Sequence, residues 1–182
     1  MINLNIQIED LISKNASDFE ISKVFKTYYK NYLASIDTTV ETTGGKDFFI
    51  KHTKHTDKFL IQLYKYILRK NFASHQPMST SIPITLVALG SYGREQLCIY
   101  SDIDILILYE NVQGYNLKKL MEEFITLAWD CGLKLGSRVH ELKEISEAVK
   151  EDITIKSSIL ESRMICGSKI LWCEYGNVLT KI

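Results

Sequence analysis

The chain has 182 residues, 46% of them apolar and 24% charged, which is the balance of one globular domain or of one with a helical appendage. Lys plus Arg and Asp plus Glu number 22 each, and a net charge of zero argues against a nucleic-acid partner, which needs a positive face. Neither half supplies one: residues 1–80 carry 11 basic and 8 acidic groups, residues 81–182 carry 11 and 14.

The opening MINLNIQIEDL has neither the basic start nor the unbroken apolar core of a secretory signal. No apolar run approaches the ~20 residues of a membrane span. Cys98, Cys131, Cys166 and Cys173 stand apart without a C-x-x-C pair and read as free thiols in a reducing compartment. The expectation is a soluble cytoplasmic protein with no membrane partner.

Residues 4–36 read as helical, with Ser17 and Glu20 at capping-box spacing and Val24, Tyr28 and Leu33 along one loose apolar face. The tyrosines of the 28–32 segment are expected to pack on the core. Residues 37–53 read as loop, because six Thr fall between 38 and 56 around Gly44-Gly45. His52 and His55 are accordingly placed on a surface loop rather than in a zinc site, since no Cys or carboxylate cluster accompanies them. A second helix is expected over 57–72, with Leu60, Leu63, Tyr64 and Ile67 at helical spacing. The segment SHQPMSTSIP holds the only two prolines and marks a boundary between an N-terminal helical region, 1–78, and a core, 79–145.

Beyond Pro83 the pattern changes. ITLVALG is a short β-branched run ending in glycine, and DIDILILY runs apolar as a buried strand does. Residues 116–131 form an amphipathic helix with Leu117, Leu120, Met121, Phe124, Ala128 and Cys131 on one face, capped by Asn116 and ended by Gly132. LKLGSRVHEL reads as a third strand, bulged at Gly136. Helices over 144–150 and 152–166 follow, with Asp152 as N-cap. Residues 146–182 are thus expected to be helices packed on the core or leading onward.

The chemistry concentrates in LVALGSYGREQLCIYSDIDILIL. Asp102 and Asp104, two apart in a strand, project from one face about 6–7 Å apart at Cα. Two carboxylates so placed repel unless a cation lies between them, and such a pair suits the metal-assisted transfer of phosphoryl or nucleotidyl groups. Upstream, a strand ends at Gly90-Ser91, where the backbone N–H groups of a tight turn and a hydroxyl can cradle phosphate. Arg94 either offsets triphosphate charge or pairs with a helix carboxylate. His140, on the third strand, reads as a satisfied strand-end histidine rather than a substrate contact.

These residues resemble a known family. Gly90-Ser91 followed by Asp102-Ile103-Asp104 is similar to the signature of polymerase-β-type nucleotidyltransferases. The longer string Gly90-Ser91-Tyr92-Gly93-Arg94, Leu97 and Tyr100-Ser101-Asp102-Ile103-Asp104 resembles the N-terminal domain of bacterial PII uridylyltransferase/uridylyl-removing enzymes, which reads G-G-Y-G-R-G-E-L-x-x-x-S-D-I-D. Trp129 to Gly136 resembles that family's W-D-L-G-L-x-V-G, and Asp152-Ile153-Thr154 with Leu160 to Arg163 resembles its D-L-T and L-L-E-A-R. The likeness spans about residues 84–167. Ser91 stands for the family's second Gly, and Glu95-Gln96 for its Gly-Glu.

The resemblance implies an α+β fold: the small mixed β-sheet of the polymerase-β-type core with flanking N- and C-terminal helices. It implies a transferase that moves UMP from UTP to a tyrosine of a PII-type nitrogen regulator and releases pyrophosphate, with Mg²⁺ or Mn²⁺ on Asp102 and Asp104. Gly90, Ser91, Gly93, Arg94 and Ser101 would bind the nucleotide. A third carboxylate is common in the superfamily, and within 133–142 only Glu141 can supply it as a catalytic group. Asp152 and Glu161 are the alternatives, read as a cap and as the ion-pair partner of Arg163. ATP with another acceptor such as glutamine synthetase, or a non-catalytic nucleotide-binding role, are the competing readings. Removal of the nucleotide in that family relies on a His-Asp motif. None of the four histidines here precedes Asp, so transfer without removal or glutamine sensing is expected, from an N-terminal piece of a longer enzyme or from a minimal version.

Overall fold

The computed structural model describes residues 4–43, 45–72, 78, 80–151 and 153–181, without the side chains of 37–43, 151, 153 and 154. Two helices, α1 (Leu4–Ser13) and α2 (Asp18–Thr43), replace the single one expected. Asn15 turns the chain at a φ of 53°, and the capping box then starts α2: Ser17 N donates to Glu20 Oε2 at 2.8 Å and Glu20 N to Ser17 Oγ at 3.3 Å. The box is a start signal, so it divides the helical stretch.

The expected loop over 37–53 is largely helix. α2 runs through Thr43 and α3 spans Lys46–Phe72, with a turn at Gly45. The helix penalty of Thr is below about 0.7 kcal/mol per residue, and burial outweighs it: Phe48, His52, Thr53 and Thr56 all lie inside. α2 and α3 pack antiparallel through Phe25 on Phe59 and Tyr66, and Tyr28 and Tyr32 on His55. The tyrosines of 28–32 do face the core, Tyr29 with 6% of its surface exposed.

Four strands form one sheet: β1 (Ile84–Ala88), β2 (Ile103–Tyr109), β3 (Leu135–Glu141) and β4 (Arg163–Gly167), in the order β3-β2-β1-β4. β1 is antiparallel to both neighbours, and β2 is parallel to β3. The crossover between β2 and β3 is α5 (Leu117–Asp130), capped by Asn116 Oδ1 on the N–H of Lys119 at 3.1 Å, and its six expected face residues are all buried. No bulge interrupts β3, whose register with β2 is continuous from Leu135 to Glu141.

β4 stands where helix was expected to reach residue 166. The helix after α6 (Ile145–Glu151), α7 (Ile153–Leu160), stops short, and the apolar run Met164–Cys166 pairs with the otherwise open edge of β1. A run that short does not distinguish helix from strand by periodicity. The closing helix α8 (Lys169–Leu179) is capped by Ser168 Oγ. Asp152, the expected cap, and half of the proline-bearing boundary, 74–77 and 79, lie outside the described residues.

The result is a mixed α+β protein of three layers. One sheet face, with Leu86, Ile103, Ile105 and Ile107, packs on α1–α3 and α5. The other, with Val87, Leu89, Leu106 and Leu108, packs on α6–α8. The first core joins residues of the 1–78 helices and of the strands in a single apolar cluster.

Candidate active site

Because β1 and β2 are antiparallel, the end of β1 meets the start of β2. There Leu89 N donates to the Asp104 carbonyl at 2.9 Å, and on the other flank Ile103 N donates to the Lys134 carbonyl at 2.8 Å. The Asp102–Asp104 segment is thus held from both sides. β1 passes directly into α4 (Gly90–Gly93), a single turn that begins at Gly90 with a φ of 54°. This left-handed conformation suits glycine, and it aims the chain past the carboxylate: a Cβ on Gly90 would lie 3.9 Å from Asp104 Oδ2. The first N–H groups of the turn have no helical carbonyl behind them and open onto this edge.

The parallel register sets Gly136 of β3 opposite Asp104. A Cβ there would stand 2.6 Å from Asp104 Oδ1, so glycine leaves room for the carboxylate on that side as well. What looked like a bulge signal marks this close approach. Two residues on, Arg138 is exposed on the same face of the sheet.

Partial burial first, and the negative charge of Asp102 second, hold the Asp104 carboxyl above its ordinary range, with Arg138 opposing them. The two carboxylates therefore interact, as their spacing predicts. Asp102 itself lies just before β2 and is exposed.

Other expected site residues take different places. Ser91 is half-buried in α4, beside Gly90. Gly93 is buried against the chain ahead of β4, where a Cβ would collide with the Glu161 carbonyl oxygen. Arg94 is exposed and pairs with Glu161, while Arg163 pairs with Asp57 of α3 at 2.8 Å, so the expected Glu161–Arg163 pair is not formed. Ser101 Oγ donates to the Cys98 carbonyl at 2.9 Å within its own turn.

Glu141 is not brought to the Asp pair. It lies opposite Tyr109, five residues along the strands from Asp104 and so about 16 Å away. There it caps a 3-10 turn, Leu142–Glu144, and pairs with Lys143 at 2.8 Å. One carboxylate cannot serve both ends of a strand. His140, opposite Leu108, is nearly as remote.

His52 and His55 lie in α3, not on a surface loop. His52 Nδ1 is 2.8 Å from Tyr32 Oη, and the His55 ring stacks on Tyr32 with centroids 3.4 Å apart. They border a cavity of about 960 Å³ between α1, α2 and α3. A smaller cleft of about 350 Å³ adjoins Ser101, Ile103 and Lys134 at the start of β2. Among the described residues no cluster of three or more His, Cys, Asp or Glu could hold a metal, and no helix is long and apolar enough to cross a membrane.

A family model described as a nucleotidyltransferase domain matches residues 65–165, which takes in β1–β3, most of β4, Asp102, Asp104, Gly90, Gly93 and Gly136, and leaves out Asp57. The chain belongs to the nucleotidyltransferase domain family. Its enzyme type is accordingly that of a nucleotidyltransferase. Among curated relatives, this nucleotidyltransferase domain is 43% identical over 89 residues to a bifunctional uridylyltransferase/uridylyl-removing enzyme of Burkholderia orbicola, covering 49% of this chain and 10% of that one. A Pseudomonas aeruginosa enzyme of the same name is 42% identical over 84 residues, 46% of this chain and 9% of its own. A Haemophilus influenzae one is 34% identical over 113 residues, 62% and 12%. The matched segment spans about a tenth of the length of these relatives.

Sequence reasoning passed over Gly136 and Arg138 as neighbours of Asp104, and Asp57 as the partner of Arg163. Once β2 and β3 are taken as parallel neighbours, strand parity places Gly136 and Arg138 on the Asp104 face. Asp57 left no local signal.

Proposed function

We propose that this domain transfers UMP from UTP to a tyrosine hydroxyl of a PII-type regulatory protein and releases pyrophosphate. The observation that carries the reading is the junction of the Gly90-Ser91 turn with the Asp102–Asp104 segment, a phosphate cradle beside a pair of mutually repelling carboxylates. The choice of UTP and of a protein acceptor is supported by the names of the relatives and by the motif strings, and the neutral overall charge agrees with an acceptor other than RNA.

The donor set fits a hard divalent cation. It consists of two carboxylates, one carrying a raised proton affinity that a cation would relieve, and Mg²⁺ characteristically takes one or two carboxylates and completes its shell from substrate phosphates and water. Asp102 and Asp104 would hold Mg²⁺ or Mn²⁺, which when bound supplies Lewis-acid stabilisation of phosphoryl charge. In the reaction the acceptor oxygen attacks the α-phosphorus, the bond to the pyrophosphate oxygen breaks, and the hydroxyl proton passes to solvent water. Gly90 and Ser91 orient the phosphates through backbone N–H groups, and Arg138 offsets charge on the Asp104 face. Arg94 is available to phosphate once it leaves Glu161.

Incubation with UTP or ATP, Mg²⁺ and a purified PII-type protein tests this. Pyrophosphate release and labelling of a tyrosine are expected with UTP, and both are lost in Asp102→Asn. Labelling from ATP alone would replace UTP as substrate. No release from either nucleotide, with the acceptor present, would overturn the reading.

A further inference from the structure

The Gly90-Ser91 turn is fastened from behind by groups that belong to other elements. The Tyr92 and Gly93 carbonyls, at the far end of α4, accept from Arg163 Nη2 and Nε at 3.3 Å each. The same guanidinium is fixed by Asp57 of α3 through Nη1–Oδ2 at 2.8 Å and Nη2–Oδ1 at 3.1 Å. Tyr92, fully buried, donates its hydroxyl to Asp57 Oδ1 at 2.6 Å, and the guanidinium lies 5.5 Å from the centre of its ring. Tyr92 is therefore tied at both its backbone and its phenol, to two charges that are tied to each other.

In a helical turn the N–H and C=O groups point in opposite directions along the axis. Holding the carbonyls at one end fixes where the N–H groups aim at the other. Here the free end begins at Gly90, where a Cβ would lie 3.9 Å from Asp104 Oδ2. A planar, bidentate guanidinium is suited to the task, because its fork engages the carboxylate while its remaining N–H groups reach two adjacent carbonyls.

We infer that Asp57 and Arg163 are positioning residues for triphosphate: with Tyr92 they lock the Gly90-Ser91 turn in the orientation that receives phosphate, so that α3 and β4 are parts of the active site. The inference rests on the assignment of that turn to phosphate. It distinguishes aim from stability, since a clamp of purely structural value would lower the melting temperature and leave the affinity of the folded protein unchanged.

The experiment is calorimetric titration of magnesium-loaded UTP and of magnesium-loaded inorganic triphosphate into the wild type, Asp57→Asn, Arg163→Lys and Tyr92→Phe, each well below its own melting temperature. Dissociation constants for both probes are expected to rise at least tenfold in Asp57→Asn and Arg163→Lys. A rise of a few fold is expected in Tyr92→Phe, which loses one hydrogen bond and keeps the ion pair. Asp57→Glu, retaining the charge, should recover part of the loss. Should Asp57→Asn fail to fold, Arg163→Lys and Tyr92→Phe decide. Constants within twofold of the wild type in the folded variants would overturn the inference and leave the phosphate site standing. Wild-type protein that binds neither probe would overturn the phosphate assignment and the clamp with it.

Discussion

At the scale of single residues, the raised proton affinity of Asp104 makes a claim about stability as well as catalysis. The folded protein holds that proton more tightly than the unfolded chain, through burial and then the Asp102 charge. Without metal, stability is therefore lower above the ordinary carboxylate range and is recovered as pH falls through it. Asp104→Asn should abolish transfer while leaving the metal-free melting temperature at pH 7 unchanged or higher, and its advantage over the wild type should shrink toward pH 3. Turnover within tenfold of the wild type would remove Asp104 from the site. Gly136→Ala tests the other side of the same carboxylate. A methyl 2.6 Å from Oδ1 must push it aside, and displacements of about 1 Å can cost 10²-fold in rate; steady-state kinetics should show a large fall in kcat from a protein that still folds. The Asp pair was legible because both acids stand together in the chain at the opening of an otherwise apolar strand. Gly136 and Arg138 needed the register of two strands 30 residues apart. Glu141 is the only acid within 133–142, but the register of β3 sets it opposite Tyr109, at the other end of the strand from Asp104.

At the scale of elements, close packing around α4 explains a second glycine. Gly93 touches the Glu161 carbonyl and leaves no space for a Cβ, so Gly93→Ala should destabilise the protein by about 1–3 kcal/mol, as overpacking does. Thermal melting should fall by roughly 2–4 °C per kcal/mol in a chain of this size. An unchanged melting temperature would show that β4 and α4 can separate freely. The helix that reasoning from sequence placed best was α5, where cap, apolar face and terminating glycine agree with one another. The α2–α3 hairpin was underestimated because threonine composition spoke for loop while burial, invisible to a local window, favoured helix. β4 was missed for a related reason: its strand character comes from the vacant edge of β1, a property of the sheet and not of the residues Met164–Cys166.

For the whole molecule, the helical layer carries its own response to acid. Burial first, then the charges of His52 and Lys58, bring His55 down from 6.5 to about 4, and burial lowers His52 as well. The unfolded chain takes up the His55 proton near pH 6.5 whereas the folded one resists until about 4, so stability present at neutral pH is lost as pH falls across that window. The melting temperature should drop between pH 7 and 4.5, and His55→Phe should drop less steeply; parallel profiles would show that His55 does not carry the effect. The sheet order has a further consequence, in the timing of synthesis. β1 pairs with β2 some 20 residues later but with β4 only about 80 residues after β1 itself, Thr85 meeting Gly167. A chain leaving the ribosome at several residues per second presents Gly90, Ser91, Asp102 and Asp104 well before Arg163 follows. During that interval β1, one of the two inner strands of the finished sheet, is an edge, apolar on both faces and with one row of backbone groups unpaired, which is the kind of surface that recruits other chains. Chains stopped after residue 160 should accordingly be recovered as aggregates on size-exclusion chromatography and not as weakened monomers: the last strand made is the one that keeps the first from sticking.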